Sequence, residues 1–127
     1  MPLHDHVRQL ARQPNFGTLT TLLPSGHPAT QVVWIDADDD CLIVNTEVGR
    51  QKYSNVQSDP RVTVCIWDNN DPYNYAEIRG TVVETVGGQR AREHIDECAQ
   101  RYFGHDFDPN NIENERVMLY IAPLPRR

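Results

Sequence analysis

Long hydrophobic runs are missing from this sequence of 127 residues. A helix needs about 20 consecutive apolar residues to cross a bilayer, and no stretch of the chain comes near that length. The opening stretch, MPLHDHVRQLARQ, also lacks the apolar core of a signal peptide. We therefore expect a cytoplasmic protein that has no membrane partner.

Cysteine is scarce, and its three copies are far apart. Cys41, Cys65 and Cys98 form no Cys-x-x-Cys motif, and each lies in an apolar context. We interpret all three as reduced core residues without a catalytic role.

The acidic run at 36–40 lacks the central glycine and the closing glutamate of a calcium loop. It therefore predicts a hairpin turn, and we expect no metal site.

Positive charge is also in short supply. The 12 lysines and arginines are outnumbered by 18 aspartates and glutamates, which gives a net charge of −6. A chain of this charge is poorly suited to non-specific binding of nucleic acid or of an anionic membrane. With 39% hydrophobic residues, the composition instead fits a globular protein with a single domain spanning residues 1–127.

The hydrophobic patterns that are present predict a mainly β protein with some helix. Strands are predicted at 16–23, 28–35, 41–45, 61–67, 73–86 and 117–121, and helices at 3–13, directly after Lys52 and at 89–103. Short turns between strands favour antiparallel pairing, and Gly80 inside the long fifth strand suggests a bulge or a bend. We therefore expect an α+β fold in which six antiparallel strands form a small closed or split β-barrel. Its few apolar residues favour a homodimer, which buries more surface.

The segment 45–61, NTEVGRQKYSNVQSDPR, carries the clearest functional pattern. A strand ends there, Gly49 permits a sharp turn, and Arg50 and Lys52 open a short helix. Unpaired N–H groups and the helix dipole make a helix N-terminus favourable for an anion. Two interpretations are open: a site for the phosphate of a nucleotide-like cofactor, and a solvated turn with two exposed cations.

The order of these motifs resembles a known family. The hairpin GTLTT…PSGHPATQVVWI, the segment LIVNTEVGRQKYSNVQSDPRVTV and the strand YAEIRGTV resemble the pyridoxamine-5′-phosphate-oxidase-like split β-barrel family. Within it, they resemble more closely the small reductases that depend on the deazaflavin coenzyme F-420. The most specific part is the Arg-x-Lys turn followed by N-x-x-x-DPR. The resemblance implies a homodimer with two cofactor sites at the subunit interface.

The resemblance also implies which residues form the cofactor site. They comprise a phosphate turn (Arg50, Gln51, Lys52 and Asn55), an approach from the strand end (Asn45, Thr46 and Glu47), a strand along the ring (Gln31, Val32, Val33 and Trp34) and a segment offered by the partner subunit (Tyr73, Asn74 and Tyr75). Arg50 and Lys52 would hold the phosphate, and Gln51 would add a backbone N–H. No residue is identified as an acid or a base, so the catalytic residues are unassigned.

The activity implied by this resemblance is that of an oxidoreductase. It would pass a hydride from reduced coenzyme F-420 to an activated double bond of a small hydrophobic acceptor, such as an enone, a quinone or a tetrapyrrole. FMN shares the tricyclic ring and the ribityl phosphate, so an FMN-binding oxidase or flavin-reductase-like protein is an alternative. A deazaflavin-binding or carrier protein without turnover is another, and a dimeric structural module with an empty site is a further one.

Overall fold

The computed structural model describes residues 2–125 of the chain, and this part contains three α-helices and seven β-strands. In chain order they are α1 (Asp5–Ala11), β1 (Phe16–Leu22), β2 (Pro28–Trp34), β3 (Asp36–Ala37), β4 (Leu42–Glu47), α2 (Gln51–Ser58), β5 (Arg61–Asp68), β6 (Asp71–Val86), α3 (Gly88–Phe103) and β7 (Arg116–Pro123). A short 3₁₀ helix, Pro109–Asn111, lies in the loop before β7. None of the helices in residues 2–125 combines the length and the apolarity that a bilayer span requires.

The seven strands form one antiparallel sheet in the order β2-β1-β5-β6-β7-β4-β3. The last strand in the chain, β7, therefore lies between β6 and β4. The two edge strands, β2 and β3, are joined through the single residue Ile35. The sheet must curl until its two ends meet at this residue, although the described strands do not close it into a ring by pairing.

The sheet differs from the expected six-stranded barrel in two respects. It is open, and it contains a seventh strand, β3. The sequence predicts only a hairpin turn at 36–40, but Asp36 and Ala37 pair with Ile43 and Leu42 before the chain turns. Two residues at the start of an acidic run show no alternation of apolar and polar positions, so the pattern that identifies strands is absent.

Helix α1 packs against the inner face of the curled sheet. Its predicted apolar stripe is buried in the main core at Leu3, Val7, Leu10 and Ala11. The strands supply the other side of this core through alternate residues. In β5, for example, every second residue from Val62 to Ile66 is buried, as the alternation predicts. Helix α2 packs against β1 and adds Val56 and Tyr53 to the same core.

Helix α3 covers the outer face of β4 and β7. Ile43, Ala91 and Met118 form a second, smaller core between the helix and these strands. The helix ends at Gly104, whose φ of 82° is left-handed, the conformation in which glycine commonly follows the last turn of a helix. This helix and the two strands beneath it position most of the site described below.

Close packing against β7 requires a glycine at position 80. A Cβ atom at Gly80 would lie 2.5 Å from the carbonyl oxygen of Ala122 in β7. The irregularity in β6 lies further along, between Val82 and Glu84, where the register with β7 shifts. The bulge predicted at Gly80 therefore lies further along the strand. A glycine in a strand can mark either a bulge or a close backbone approach, and Gly80 marks a close approach.

We expect the substitution Gly80→Ala to destabilise the protein. Its methyl group would collide with the backbone of β7, and overpacking of this kind costs about 1–3 kcal/mol. Urea denaturation followed by circular dichroism measures the free energy of unfolding. Gly49→Ala is the control, because a methyl group there would meet only the flexible side chain of Asn114. Equal stability of Gly80→Ala and the parent would contradict the role assigned to this glycine.

Candidate functional site

Strand β4 leads into helix α2 through a tight turn. The backbone N–H of Arg50 donates to the carbonyl oxygen of Glu47 (3.0 Å), which closes this turn. Arg50 is the N-cap of α2, and its side chain caps none of the first N–H groups of the helix. The backbone N–H of Tyr53 donates to the carbonyl oxygen of Arg50 (3.1 Å). The N–H groups of Gln51 and Lys52, ahead of it, lie at the positive end of the helix dipole, which favours a bound anion.

Three cations gather at this helix start. Arg50 is exposed, Lys52 is half-buried, and the side chain of Arg116 at the start of β7 is only 9% exposed. Burial lowers the pKa of Lys52, and repulsion from Arg50 and Arg116 lowers it further. Burial also lowers the pKa of Arg116, against the attraction of Glu47. The positive charge is therefore incompletely neutralised, and an anion placed here would be stabilised.

Glu47 is the counter-charge in this cluster, and it is buried. Its Oε2 accepts hydrogen bonds from Nη1 of Arg116 (3.2 Å) and from the backbone N–H of Glu113 (3.2 Å). Its Oε1 lies 3.9 Å from Nε of Arg50. Three cations and one carboxylate leave two unbalanced positive charges, which match a phosphate group.

A buried polar network runs from this cluster beneath helix α3. The Nε of Arg116 donates to Oδ1 of Asn45 (2.9 Å). The Nδ2 group of Asn45 donates to the carbonyl oxygen of Ala91 (2.9 Å) and to Nδ1 of His94 (3.0 Å). The Nε2 of His94 in turn donates to Oδ2 of Asp36 (2.8 Å). The carboxylate thus fixes the tautomer of His94, with the proton on Nε2 and an acceptor at Nδ1.

Asp36, His94 and Cys98 bring three potential metal-ligand atoms within 4.8 Å of one another. Asp36 already accepts hydrogen bonds from Arg12 and Arg101, each at 3.0 Å. Burial raises its pKa, but the hydrogen bond from His94 and the charge of Arg101 hold it well below the usual range. Burial raises the pKa of Cys98 to about 12, so its thiol is protonated. Two arginines and a protonated thiol disfavour a divalent cation, and we interpret this group as hydrogen-bonded core.

The cysteines differ in part from the sequence interpretation. Cys98 is buried, as expected, whereas Cys41 and Cys65 are only half-buried. Cys98 also lies one helical turn after His94, and its Sγ is 3.6 Å from Nε2 of that residue. This four-residue spacing is visible in the sequence, so a histidine near Cys98 could have been identified there. The raised pKa of Cys98 nevertheless opposes formation of a nucleophilic thiolate.

The residues of β2 that were expected along the ring divide between the two faces of the sheet. Val32 and Trp34 point outward, whereas Gln31 and Val33 share the inner face. Gln31 is nevertheless exposed, because β2 is an edge strand of the open sheet. A ring lying on one face of this strand can therefore contact only one of these two pairs through side chains.

Trp34 connects the ring strand to the cation cluster through aromatic contacts. Its ring stacks on Tyr102 with centroids 4.8 Å apart, and it meets the ring of Phe107 edge-on at 6.1 Å. The guanidinium of Arg116 lies 5.3 Å from the centroid of Phe107. These contacts link Trp34, at the end of the predicted ring strand, to Arg116 of the cation cluster through Phe107. Neither Phe107 nor Arg116 was identified from the sequence, because each is far along the chain from this turn.

Tyr102 fixes the residue at which the two ends of the sheet meet. Its hydroxyl donates to the carbonyl oxygen of Asn15 and accepts from the backbone N–H of Ile35 (3.1 Å). Burial raises the pKa of Tyr102 to about 12, so the hydroxyl keeps its proton at neutral pH. The Tyr102 ring on which Trp34 stacks is therefore held in place by hydrogen bonds to the backbone of Asn15 and Ile35.

Two predicted residues near the phosphate turn have mainly structural contacts. Asn55 is buried behind the turn, where its Oδ1 accepts from Gln51 (2.8 Å) and its Nδ2 donates to Thr21 of β1 (2.9 Å). It therefore anchors α2 to the sheet. Thr46 is buried and points to the main core, on the opposite face of β4 from Asn45.

The predicted partner segment lies at the start of β6, beside the hairpin that joins β5 to β6. Tyr73 is 91% exposed and Tyr75 is 56% exposed. Oδ1 of Asn74 lies 2.8 Å from Nε2 of His6 in α1. Within one chain, Asn74 therefore contacts α1 rather than the phosphate turn. The contribution of these three residues to a site on the partner subunit stays a prediction.

Comparison with known proteins identifies similar chains. The family model described as pyridoxamine 5′-phosphate oxidase matches residues 3–123. A solved structure of an F420 reductase is 28% identical, with a TM-score of 0.83 over 97% of this chain and 97% of that chain.

Two more distant structures support the fold alone. A conserved hypothetical protein from Mycobacterium tuberculosis is 23% identical, with a TM-score of 0.76 over 98% of this chain and 82% of that chain. General stress protein 26 from Bacillus anthracis is 19% identical, with a TM-score of 0.67 over 94% of this chain and 87% of that chain. The comparison with curated proteins found no match.

Proposed function

Because the chain belongs to the pyridoxamine 5′-phosphate oxidase family, we propose that it is an oxidoreductase that depends on coenzyme F-420. It would transfer a hydride from the reduced deazaflavin to an activated double bond of a small hydrophobic acceptor, such as an enone, a quinone or a tetrapyrrole. The similarity to an F420 reductase over 97% of both chains favours this cofactor. FMN is the second candidate, because the cation cluster suits the phosphate of either molecule.

The observation that carries this proposal is the incompletely neutralised cation cluster at the start of α2. Arg50 and Lys52 would hold the cofactor phosphate, and the backbone N–H of Gln51 would add a hydrogen bond. Burial and, after it, repulsion from Arg50 and Arg116 lower the pKa of Lys52, and a phosphate would offset the repulsion. The residues present at the site therefore fit a phosphorylated cofactor.

The remaining residues of the site would orient the ring and exclude water from it. When bound, the cofactor supplies the hydride chemistry, and the protein supplies position and surroundings. Val32 and Trp34 offer an apolar surface on the outer face of β2, and Phe107 continues this surface towards Arg116. The phosphate and the ring would thus be held by adjacent parts of one surface.

A second copy of the chain is the proposed partner. Outward-pointing residues of β2, β1 and β5 form a face that, apart from its end at Trp34, no helix of residues 2–125 covers. We call it the bare face, and it consists of Thr18, Thr20, Thr30, Val32, Thr63 and Cys65. Four of its six side chains are threonines, which are small enough for a sheet-to-sheet contact, and Val32 and Cys65 add apolar surface. In such a homodimer, Tyr73, Asn74 and Tyr75 would be offered to the site of the other subunit.

The choice of cofactor and the role of Lys52 can be tested by one titration. We expect the protein to quench the fluorescence of coenzyme F-420 with a lower Kd than that of FMN. Lys52→Ala should raise this Kd about tenfold or more, because a charge-assisted contact contributes about 1.5–3 kcal/mol. Binding of FMN alone would support the second candidate and reject the first.

Arg90→Ala is the matched control for that titration. It also removes one positive charge, but its partner is Glu97 on helix α3, so the Kd should not change.

Lys52 is the only lysine in the sequence, and an amine-selective reagent with mass spectrometry can therefore follow its modification directly. Bound cofactor should protect Lys52. If the Lys52→Ala variant binds as tightly as the parent, the phosphate assignment is wrong.

Turnover distinguishes a reductase from a carrier. Mixed anaerobically with reduced coenzyme F-420 and a panel of enones and quinones, the protein should restore the absorbance of the oxidised deazaflavin. The same mixture without protein gives the background rate. Tight binding with no oxidation above this background, for every acceptor, would support the carrier alternative and reject the oxidoreductase.

The bare face makes a prediction about assembly. Val32 is 65% exposed in the single chain, so Val32→Asp should leave the fold intact. We expect it to convert a dimeric parent into a monomer, because a buried unpaired charge is costly. Analytical ultracentrifugation measures the mass. Val83→Asp, at the exposed bulge of β6, should remain a dimer. A monomeric parent, or a Val32→Asp variant that stays dimeric, would exclude this interface.

A further inference from the structure

The buried polar network beneath helix α3 consists of Asp36, His94, Asn45, Arg116 and Glu47. One end of the network is Asp36, which pairs with Arg12 and Arg101. The other end is Glu47, which lies beside Arg50. Its central histidine is only 1% exposed and contacts neither the turn nor the helix that would bind the phosphate. The proposed function leaves His94 without a role.

The amide of Asn45 can satisfy its neighbours in only one orientation. Its NH₂ group faces two acceptors, the carbonyl oxygen of Ala91 and Nδ1 of His94, and its oxygen faces the guanidinium of Arg116. Turning the amide over would place its NH₂ group against the N–H groups of Arg116, where no hydrogen bond forms. The acceptor at His94 therefore helps to keep the oxygen of Asn45 directed at Arg116.

Arg116 in turn determines which cation neutralises Glu47. In its present position it donates to Oε2 of Glu47 at 3.2 Å, while Nε of Arg50 lies 3.9 Å from Oε1. Leaving a buried carboxylate without its partner costs free energy, and pairing with the nearest cation reduces this cost. If Arg116 moved away, the nearest cation to Glu47 would be Arg50. Arg50 would then be less available to bind the phosphate.

We infer that His94 is a positioning residue for the cofactor phosphate. Through the amide of Asn45 it holds Arg116 on Glu47, and it thereby leaves Arg50 and Lys52 available to the phosphate. This inference rests on the proposed function, because it concerns the same anion site. It adds a residue on α3 that touches neither the phosphate nor the ring.

Two amide substitutions separate this role from general stabilisation of the core. The side-chain oxygen of His94→Asn occupies the place of Nδ1, so it can still accept from Asn45. The side-chain nitrogen of His94→Gln occupies the place of Nε2, so it can still donate to Asp36 but offers Asn45 no acceptor. Both variants bury a neutral amide and lose one hydrogen bond, and their losses of thermal stability should be similar.

Cofactor affinity is expected to differ between these variants. Measured by fluorescence titration with coenzyme F-420 and FMN, His94→Asn should keep the parent Kd within about twofold, whereas His94→Gln should raise it about three- to tenfold, the usual size of coupling within one hydrogen-bond network. Cys98→Ala is the control, because its thiol touches His94 but has no contact with Asn45. Equal Kd values for the Asn and Gln variants would overturn the inference.

A second measurement uses no cofactor and separates the two proposals. The NMR signal of the Arg116 Nε–H group reports its hydrogen bond to Asn45. We expect the signal to shift in His94→Gln and to stay near its parent position in His94→Asn and Cys98→Ala. A parent that binds neither cofactor would overturn the proposed function, and this signal would still test the network. An unchanged signal in His94→Gln would overturn the role of His94.

Discussion

The contact between Glu47 and Arg116 is the interaction on which the site depends. These residues are directly paired across β4 and β7, so the contact joins the end of one strand to the start of the other beside the phosphate turn. A buried ion pair by itself contributes little to stability, because desolvation offsets the attraction. Here the backbone of Glu113 and the side chain of Asn45 complete the hydrogen bonding of both partners. The pair therefore contributes chiefly geometry, and the excess of neighbouring cations is the feature on which the proposed anion site rests.

Much of the fold could be predicted from the sequence, because most strands have one buried face. Alternation located β1, β2 and β5 to within one residue at each end, and the apolar stripes located all three helices. Elements without such a pattern were missed or misread. Strand β3 is two residues long, and Gly80 gave no sign of whether a bulge or a close backbone approach required it. Closure of the sheet depends on how far it curls, and periodicity does not report curvature.

The site shows the same division between local and distant information. Arg50, Gln51 and Lys52 are consecutive residues at the start of a helix, so their common location follows from a local pattern. Arg116, Phe107 and His94 come from β7, from the loop before it and from α3, and only the folded sheet brings them to the end of β4. Their residue types are ordinary in isolation. Their significance arises from burial, which leaves the cations short of counter-charge and makes one amide orientation obligatory.

The place of β7 between β6 and β4 has a consequence for how the protein is made. Strands β2, β1, β5 and β6 can pair as soon as they are synthesised, whereas β4 and β3 have only each other until residues 116–123 emerge from the ribosome. During translation, therefore, β6 and β4 both present unpaired edges, which are prone to intermolecular pairing. The proposed anion site shares this delay, because Arg116 is the first residue of the strand that completes the sheet.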